Sequence, residues 1–259
     1  MSPNSVRTVR VAWILFATAF AAGAVDIIGF AKLGGVFASA MTGNFALLAY
    51  HIAQGNTLSA IGSVIALLGF VCGCLIGFTL RRGRSDRTTI SLLLGSETGL
   101  LLLFAVCAFF DVTSIRQQII ILAVAMGLQA VVGQMVSLST IVFTTTLTRL
   151  IGHIADAIVT RNATGLRDIR EQMTLIGSYL LGALLAGVLT VNKVSAVVML
   201  PLLGVAIALG AHLLGGHSPL GGGFPLDGVP RGDGGFPGAT NPPSQRGSAA
   251  SRRRAGEPE

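Results

Sequence analysis

The sequence predicts an all-α polytopic membrane bundle of six transmembrane spans, with two re-entrant or broken half-helices set between them and an inverted 3+3 repeat relating its halves. Three observations lead there. Apolar residues make up 52% of the chain and charged residues 11%, far from the mixture of a soluble domain. Six stretches are long enough to cross a hydrocarbon core of about 30 Å, which takes roughly 20 apolar helical residues. Lys and Arg are distributed unevenly between alternate connections, as membrane topology requires.

The six spans are read at 11–31, 58–80, 90–110, 119–138, 173–191 and 194–214, and Asp26 and Glu97 are their only charged residues. Helix is expected because hydrocarbon offers no partner to a free backbone N–H or C=O. The start of the first stretch, with Arg7 and Arg10 ahead of it and Ala19-Phe20-Ala21 within it, also fits a cleavable signal, although its apolar run continues past that point. Cys72, Cys74 and Cys107 fall inside spans without a zinc-type spacing. They read as small packing residues, so neither a disulfide nor a metal site is expected.

The formal charge of +7 is better explained by topology than by nucleic acid. With the N-terminus inside and six crossings, the cytoplasmic set is Arg7 and Arg10; Arg81, Arg82, Arg84 and Arg87; Arg149, Arg161, Arg167 and Arg170; and Arg231, Arg246, Arg252, Arg253 and Arg254. Only Lys32, Arg116 and Lys193 are left outside. This arrangement implies a multi-pass protein of the bacterial cytoplasmic (inner) membrane with both termini cytoplasmic.

Two further apolar segments, 36–53 and 141–158, raise an eight-span alternative. That alternative sends Arg81-Arg82-Gly83-Arg84 across the membrane and buries Arg149, so the segments are read as re-entrant or broken helices. The domain plan is then a cytoplasmic N-terminus at 1–10, a membrane domain at 11–214 with halves near 11–110 and 117–214, and a basic Gly/Pro-rich tail at 215–259. The tail's composition predicts disorder.

The halves share a weak pattern. Ala19-Phe20-Ala21-Ala22-Gly23 parallels Ala123-Val124-Ala125-Met126-Gly127, Phe37 and Thr42 parallel Phe143 and Thr148, and Phe70 and Gly73 parallel Tyr179 and Gly182. Three spans per unit would make such repeats inverted, and chance likeness between Ala/Gly/Leu-rich stretches is the competing account. Gly69, Gly73 and Gly77 form a ridge on which another helix can approach closely, either within the chain or in a homodimer. Pro201 is expected to kink the last span.

Gly23-Ala24-Val25-Asp26, Phe30, Leu33-Gly34, Phe37 and Met41-Thr42-Gly43-Asn44, followed by Gly127-Leu128-Gln129 and Phe143-Thr144-Thr145-Thr146-Leu147-Thr148, resemble the YoaK family of bacterial multi-spanning membrane proteins. The resemblance covers roughly 11–214 and implies a membrane fold, with transport suspected and no settled substrate. Arg149 departs from the small residue that often follows the Thr-rich stretch in similar sequences.

Asp26 lies about 22 Å into the first span, where an ionised carboxylate costs about 2.5 to 3.5 kcal/mol unless protein or water receives it. Gly23, Asp26 and Phe30 share one helical face, so a close-packed partner is expected there. Thr42-Gly43-Asn44 reads as a helix break whose Thr and Asn bond free backbone groups, leaving a half-helix N-terminus suited to polar or anionic ligands. Thr144 to Thr148 is expected to build the counterpart in the second half. The substrate-binding candidates are therefore Asp26, Thr42, Gly43, Asn44, Thr145 and Thr148, although Asp26 bonding Thr42 or Asn44 would equally serve to close the break. Glu97 is a candidate for proton or cation coupling, with a hydrogen-bonded packing role as the plainer account. Gln129 and Gln134 are expected to make interhelical bonds, and His153 and Asp156 to form a solvated pair.

These features favour a secondary transporter or permease for a small polar or anionic solute. A membrane scaffold or lipid-interacting protein is the alternative. An intramembrane enzyme is disfavoured: Gly-x-Ser-Gly and His-Glu-x-x-His are absent, and His212 reads as an interfacial residue. No catalytic residue, cofactor, metal or nucleic-acid partner is expected, and no Gly-x-x-x-x-Gly-Lys-Ser/Thr run supplies an ATP-driven motor.

Overall fold

A computed structural model describes residues 3–136, 143–160 and 166–214, excepting the side chains at 3–11, 143–145, 156–160 and 166–168. The described residues form eight α-helices: α1 (Pro3–Lys32), α2 (Met41–Ala53), α3 (Thr57–Arg81), α4 (Asp86–Phe109), α5 (Ile115–Met135), α6 (Phe143–Thr160), α7 (Leu166–Val191) and α8 (Met199–Leu214). A 3-10 turn, Ser195–Val198, leads into α8. The reading of the 215–259 tail lies outside the described residues.

Six of the helices are long and apolar enough to cross a membrane: Ala12–Lys32, Thr57–Arg81, Asp86–Phe109, Ile115–Met135, Ile169–Val191 and Ser195–Leu214. The predicted polytopic helical bundle is therefore present, with each predicted span inside one of these helices or within a turn of its ends. Helix starts are set by short polar caps. Asn56 accepts from the Ser59 amide, Ser85 accepts from that of Thr88, and Ser114 and Gln117 form a reciprocal capping box, each satisfying first-turn donors that the helix itself cannot. Between α2 and α3 the chain reverses at Gly55, whose φ of 68° a side-chain-bearing residue seldom adopts.

Small residues determine how the spans pack. A methyl group on Gly23 of α1 would overlap the Tyr179 carbonyl oxygen of α7 and stand 3.0 Å from the Ala183 amide nitrogen; one on Gly182 would overlap the Phe20 carbonyl oxygen. The α3–α5 pair repeats this arrangement. A methyl group on Gly127 would overlap the Phe70 carbonyl oxygen and stand 2.8 Å from the Cys74 amide nitrogen, and one on Gly73 would overlap the Val124 carbonyl oxygen. In both pairs the helices run parallel, because contact positions advance together: Ser178 bonds the Phe16 carbonyl and Gly182 meets that of Phe20, while Gly69, Gly73 and Gly77 meet Ala123, Val124 and Val131 in turn.

The spans consequently sort into two bundles that cross the sequence halves: α1 with α7 and α8, and α3 with α4 and α5. They meet along α4 and α8, where His212 Nε2 lies 3.2 Å from the Arg87 carbonyl, and along α1 and α5, where Gln129 Nε2 donates to the Thr18 carbonyl at 3.1 Å. Large apolar side chains such as Leu68, Leu75, Leu102, Leu180 and Leu184 face outward, as helices in lipid require.

Three expectations need correction. The Gly69, Gly73 and Gly77 ridge is filled from within the chain by Ala123, Val124, Gly127 and Val131 of α5, leaving no face there for a homodimer. Pro201 lies in the first turn of α8, where an amide proton has no intrahelical acceptor to lose. Gln134 is exposed and Gln129 alone of the pair bonds another helix. The eight-span alternative also weakens, since the 13 residues of α2 extend about 20 Å against a core of about 30 Å.

Candidate functional site

The site begins with the return of the chain after α1. Beyond Lys32 the residues at 33–40 leave the helix and run back along it. A methyl group on Gly29 would stand 2.6 Å from the Val36 carbonyl oxygen, and Asp26 is bonded to Ser39. Each step along 36–39 therefore lies deeper beside α1, and Ser39 reaches a residue about 9 Å below the end of that helix.

Asp26, 1% exposed, is the receptor for this descending segment. The Ser39 amide donates to Oδ1 at 2.7 Å, the Ser39 hydroxyl to Oδ2 at 2.6 Å, and the Tyr179 hydroxyl to Oδ2 at 2.9 Å. One carboxylate thus ties together α1, the segment ahead of α2, and α7. Three donors on a buried acid offset much of the cost of removing its charge from water.

Asn44 closes the break from the other side. Its Oδ1 accepts from the Phe37 amide at 2.9 Å while its Nδ2 donates to the Phe37 carbonyl, so its side-chain amide replaces the backbone partner that an irregular segment lacks. Asn44 is completely buried. Phe37 is further held by the Phe30 ring, stacked with centroids 5.3 Å apart, and by Gly43, where a methyl group would stand 2.9 Å from the Phe37 ring.

Of the candidate residues, Asp26, Gly43 and Asn44 are gathered around this break. Thr42 is exposed and bonds neither Asp26 nor the helix start. The expected Asp26 bond to Thr42 or Asn44 is thus replaced by bonds to Ser39 and Tyr179, because the chain turns deeper beside α1 before α2 begins. In the second half, α6 has already started at Phe143, so the Thr-rich run forms its first two turns and does not precede it. Thr148 is exposed, and the side chains of Thr144, Thr145 and Asp156 lie outside the described residues.

Neither Ser39 nor Tyr179 is among the site residues that the sequence predicts. Tyr179 stands opposite Phe70 in the weak internal alignment, and a hydroxyl in place of a phenyl hydrogen was a usable signal. Ser39 carried none, since only the backward course of the chain brings it to Asp26.

Glu97 is also fully buried, but among the described residues neither carboxyl oxygen has a hydrogen-bond partner. The expected hydrogen-bonded packing role therefore does not hold. Among the described residues no group of three or more His, Cys, Asp or Glu side chains is placed to hold a metal, and Cys72, Cys74 and Cys107 are free thiols.

The model of the family described as "Protein of unknown function (DUF1275)" matches residues 14–211. The UPF0700 transmembrane protein YoaK of Bacillus subtilis (strain 168) is 32% identical over 174 residues, covering 63% of this chain and 77% of that protein. No solved structure matches. The matched residues run from early α1 almost to the end of α8 and include the Asp26 knot, Asn44 and Glu97, and the chain belongs to the DUF1275 family of membrane proteins.

Proposed function

We propose that this protein is a secondary transporter or permease for a small polar or anionic solute, set in the bacterial cytoplasmic membrane with both termini cytoplasmic, and not an enzyme. The observation that carries this reading is the repeated packing of α1 on α7 and α3 on α5, in which Gly23, Tyr179 and Gly182 correspond to Gly127, Phe70 and Gly73. Correspondence across helices that enter the membrane in opposite senses is what an inverted repeat produces, and two interlocked bundles can rock about their seam. Alternating access then needs a polar site near that seam and a helix end to line it.

The segment at 36–53 supplies such an end on this reading. Its descending stretch and α2 form a re-entrant element entering from the outer face. α2 starts without a side-chain cap; the Met41 and Asn44 N–H groups bond the Ser39 and Ala40 carbonyls, so those of Thr42 and Gly43 are the ones offered to a negative or polar group. Asp26, Ser39, Tyr179 and Asn44 hold the element in place, and Thr42 with the Gly43 amide contacts the solute. Thr145 and Thr148 of α6 are the second-half candidates.

The test is uptake into proteoliposomes of radiolabelled inorganic phosphate, acetate and glycine, chosen to span charge and size. Uptake of at least one above empty liposomes, diminished in Thr42→Val and retained in the lipid-facing variant Leu68→Ala, is expected. Equal uptake by wild type and Thr42→Val would remove α2 from the pathway, and no uptake of any of the three above empty liposomes would count against the transport reading.

A further inference from the structure

Glu97 occupies the middle of α4, eleven residues after Asp86 and twelve before Phe109, hence roughly 17 Å from either end. It shares a stripe with Ile90, Leu93, Leu94, Leu101 and Phe104, all buried and all apolar. Such a stripe is ordinary core packing, and a carboxyl group in it is costly. Asp26 meets that cost with three donors; Glu97 has none.

A bound metal cation does not resolve the difference. Sodium, potassium or a divalent ion requires several ligands converging on one point; among the described residues neither Glu97 oxygen has a hydrogen-bond partner, and no group of three or more His, Cys, Asp or Glu is placed to hold a metal. Fixed charge does not resolve it either. The charged or titratable groups on the elements packed against α4 are Arg116 of α5, His212 of α8, and Cys72, Cys74 and Arg81 of α3, with none in the 3-10 turn. The His212 bond to the Arg87 carbonyl fixes the α4–α8 register ten residues from Glu97, about 15 Å away along the helix. Arg116 and Arg81 stand near helix ends, and the Cys74 thiol is directed to the Gly127 carbonyl at 3.5 Å. Within α4, Asp86 and Arg87 lie at its start and Cys107 near its finish.

We propose that Glu97 is a proton-binding site: its carboxyl group is held as the neutral acid within the buried apolar stripe of α4, and the proton is the cation this site accepts. Its use as the coupling ion rests on the transporter reading above, whereas the occupancy of the site does not. A single proton neutralises the group without any ligand shell, and movement of α4 against the helices packed on it would open the carboxyl to water and allow exchange.

A hydrophobic carbodiimide reads out this state directly. The acid proton passes to one carbodiimide nitrogen as a carboxyl oxygen bonds to the central carbon, and in an apolar site the O-acylisourea rearranges to a stable N-acylurea without loss of atoms. Wild-type protein in liposomes is treated with dicyclohexylcarbodiimide in sodium, potassium or choline chloride and mapped by peptide mass spectrometry. The expected result is an adduct on Glu97, equal in the three salts and lost in Glu97→Gln. No adduct on Glu97, an adduct on Asp26 instead, or protection by sodium or potassium over choline would overturn the proposal. The wild-type pattern decides the matter even if the variant fails to fold, and it is read without any transport assay.

Discussion

Gly23 of α1 lies so close to Tyr179 of α7 that no side-chain atom fits between the α1 backbone and the Tyr179 carbonyl. Gly127 stands in the same relation to Phe70 in the other helix pair. If both contacts hold the bundles, Gly23→Ala and Gly127→Ala should destabilise by similar amounts, each about 1 to 3 kcal/mol from forced separation of packed backbones. Gly95→Ala and Gly187→Ala, with open space at the new methyl, should change stability little. Reversible unfolding in mixed micelles measures all four; a neutral Gly127→Ala would show that the second pair bears no load.

The spans were legible because hydropathy and length are properties of the chain alone, and the glycine ridge was legible as a packing device. Its partner was not. Gly73 meets Val124 across fifty residues of sequence, and a ridge carries no label saying whether the opposing helix belongs to the same molecule. The Asp26 site was half legible: an ionisable side chain in a span announces itself, but its donors depend on the chain turning inward at 33–40. The Thr-rich run misled because threonines favour helix starts and breaks, yet here α6 continues through them.

Tyr179→Phe removes one of three donors from Asp26 without changing the shape of the α1–α7 contact. Hydrogen bonds to charged groups contribute about 1.5 to 3 kcal/mol, so a loss of that order in unfolding free energy is expected, and Ser39→Ala should lose a comparable amount. In Asp26→Asn both hydroxyls lose their ionic acceptor. Adding Tyr179→Phe to Asp26→Asn should then cost less than it does in wild type, and strict additivity of the two would show that the bond has no energetic weight.

Asn44 uses both ends of its amide on the Phe37 backbone. Asn44→Asp keeps the acceptor and removes the donor, leaving the Phe37 carbonyl unpaired beside a buried charge. It should therefore be worse than Asn44→Ala, although it is the closer isostere. Each should cost about 1 to 3 kcal/mol or more, visible as lowered yield and faster proteolysis of folded protein. A better tolerated Asp variant would mean that water enters the break.

Glu97→Leu is expected to raise stability, an unusual direction for a fully buried site. The substitution removes two unpartnered oxygens from an apolar stripe, and relief of about 1 to 3 kcal/mol follows from the cost of a polar group buried without a bond. Natural sequences retain such liabilities where function needs them, so the same variant should fold better and lose any activity that depends on a proton. Thermal unfolding in detergent checks the first half; destabilisation would point to a hydrogen-bonding role for Glu97 in some other state.

Cysteine accessibility distinguishes six crossings from eight. With Cys72, Cys74 and Cys107 replaced, single cysteines at Asn56 and Arg84 report the two connections of α3. Six crossings put Asn56 outside and Arg84 inside, so an impermeant maleimide should label the first in intact cells and the second only after permeabilisation. Eight crossings exchange the two results and demand that Arg81, Arg82 and Arg84 be translocated, while α2, at 13 residues, spans a core half again its length. A cysteine at Asn162 should stay protected in both cases, which makes it the control for cell integrity. Labelling of Arg84 from outside, with Asn56 and Asn162 protected, would make the 36–53 segment a full crossing and remove the re-entrant element.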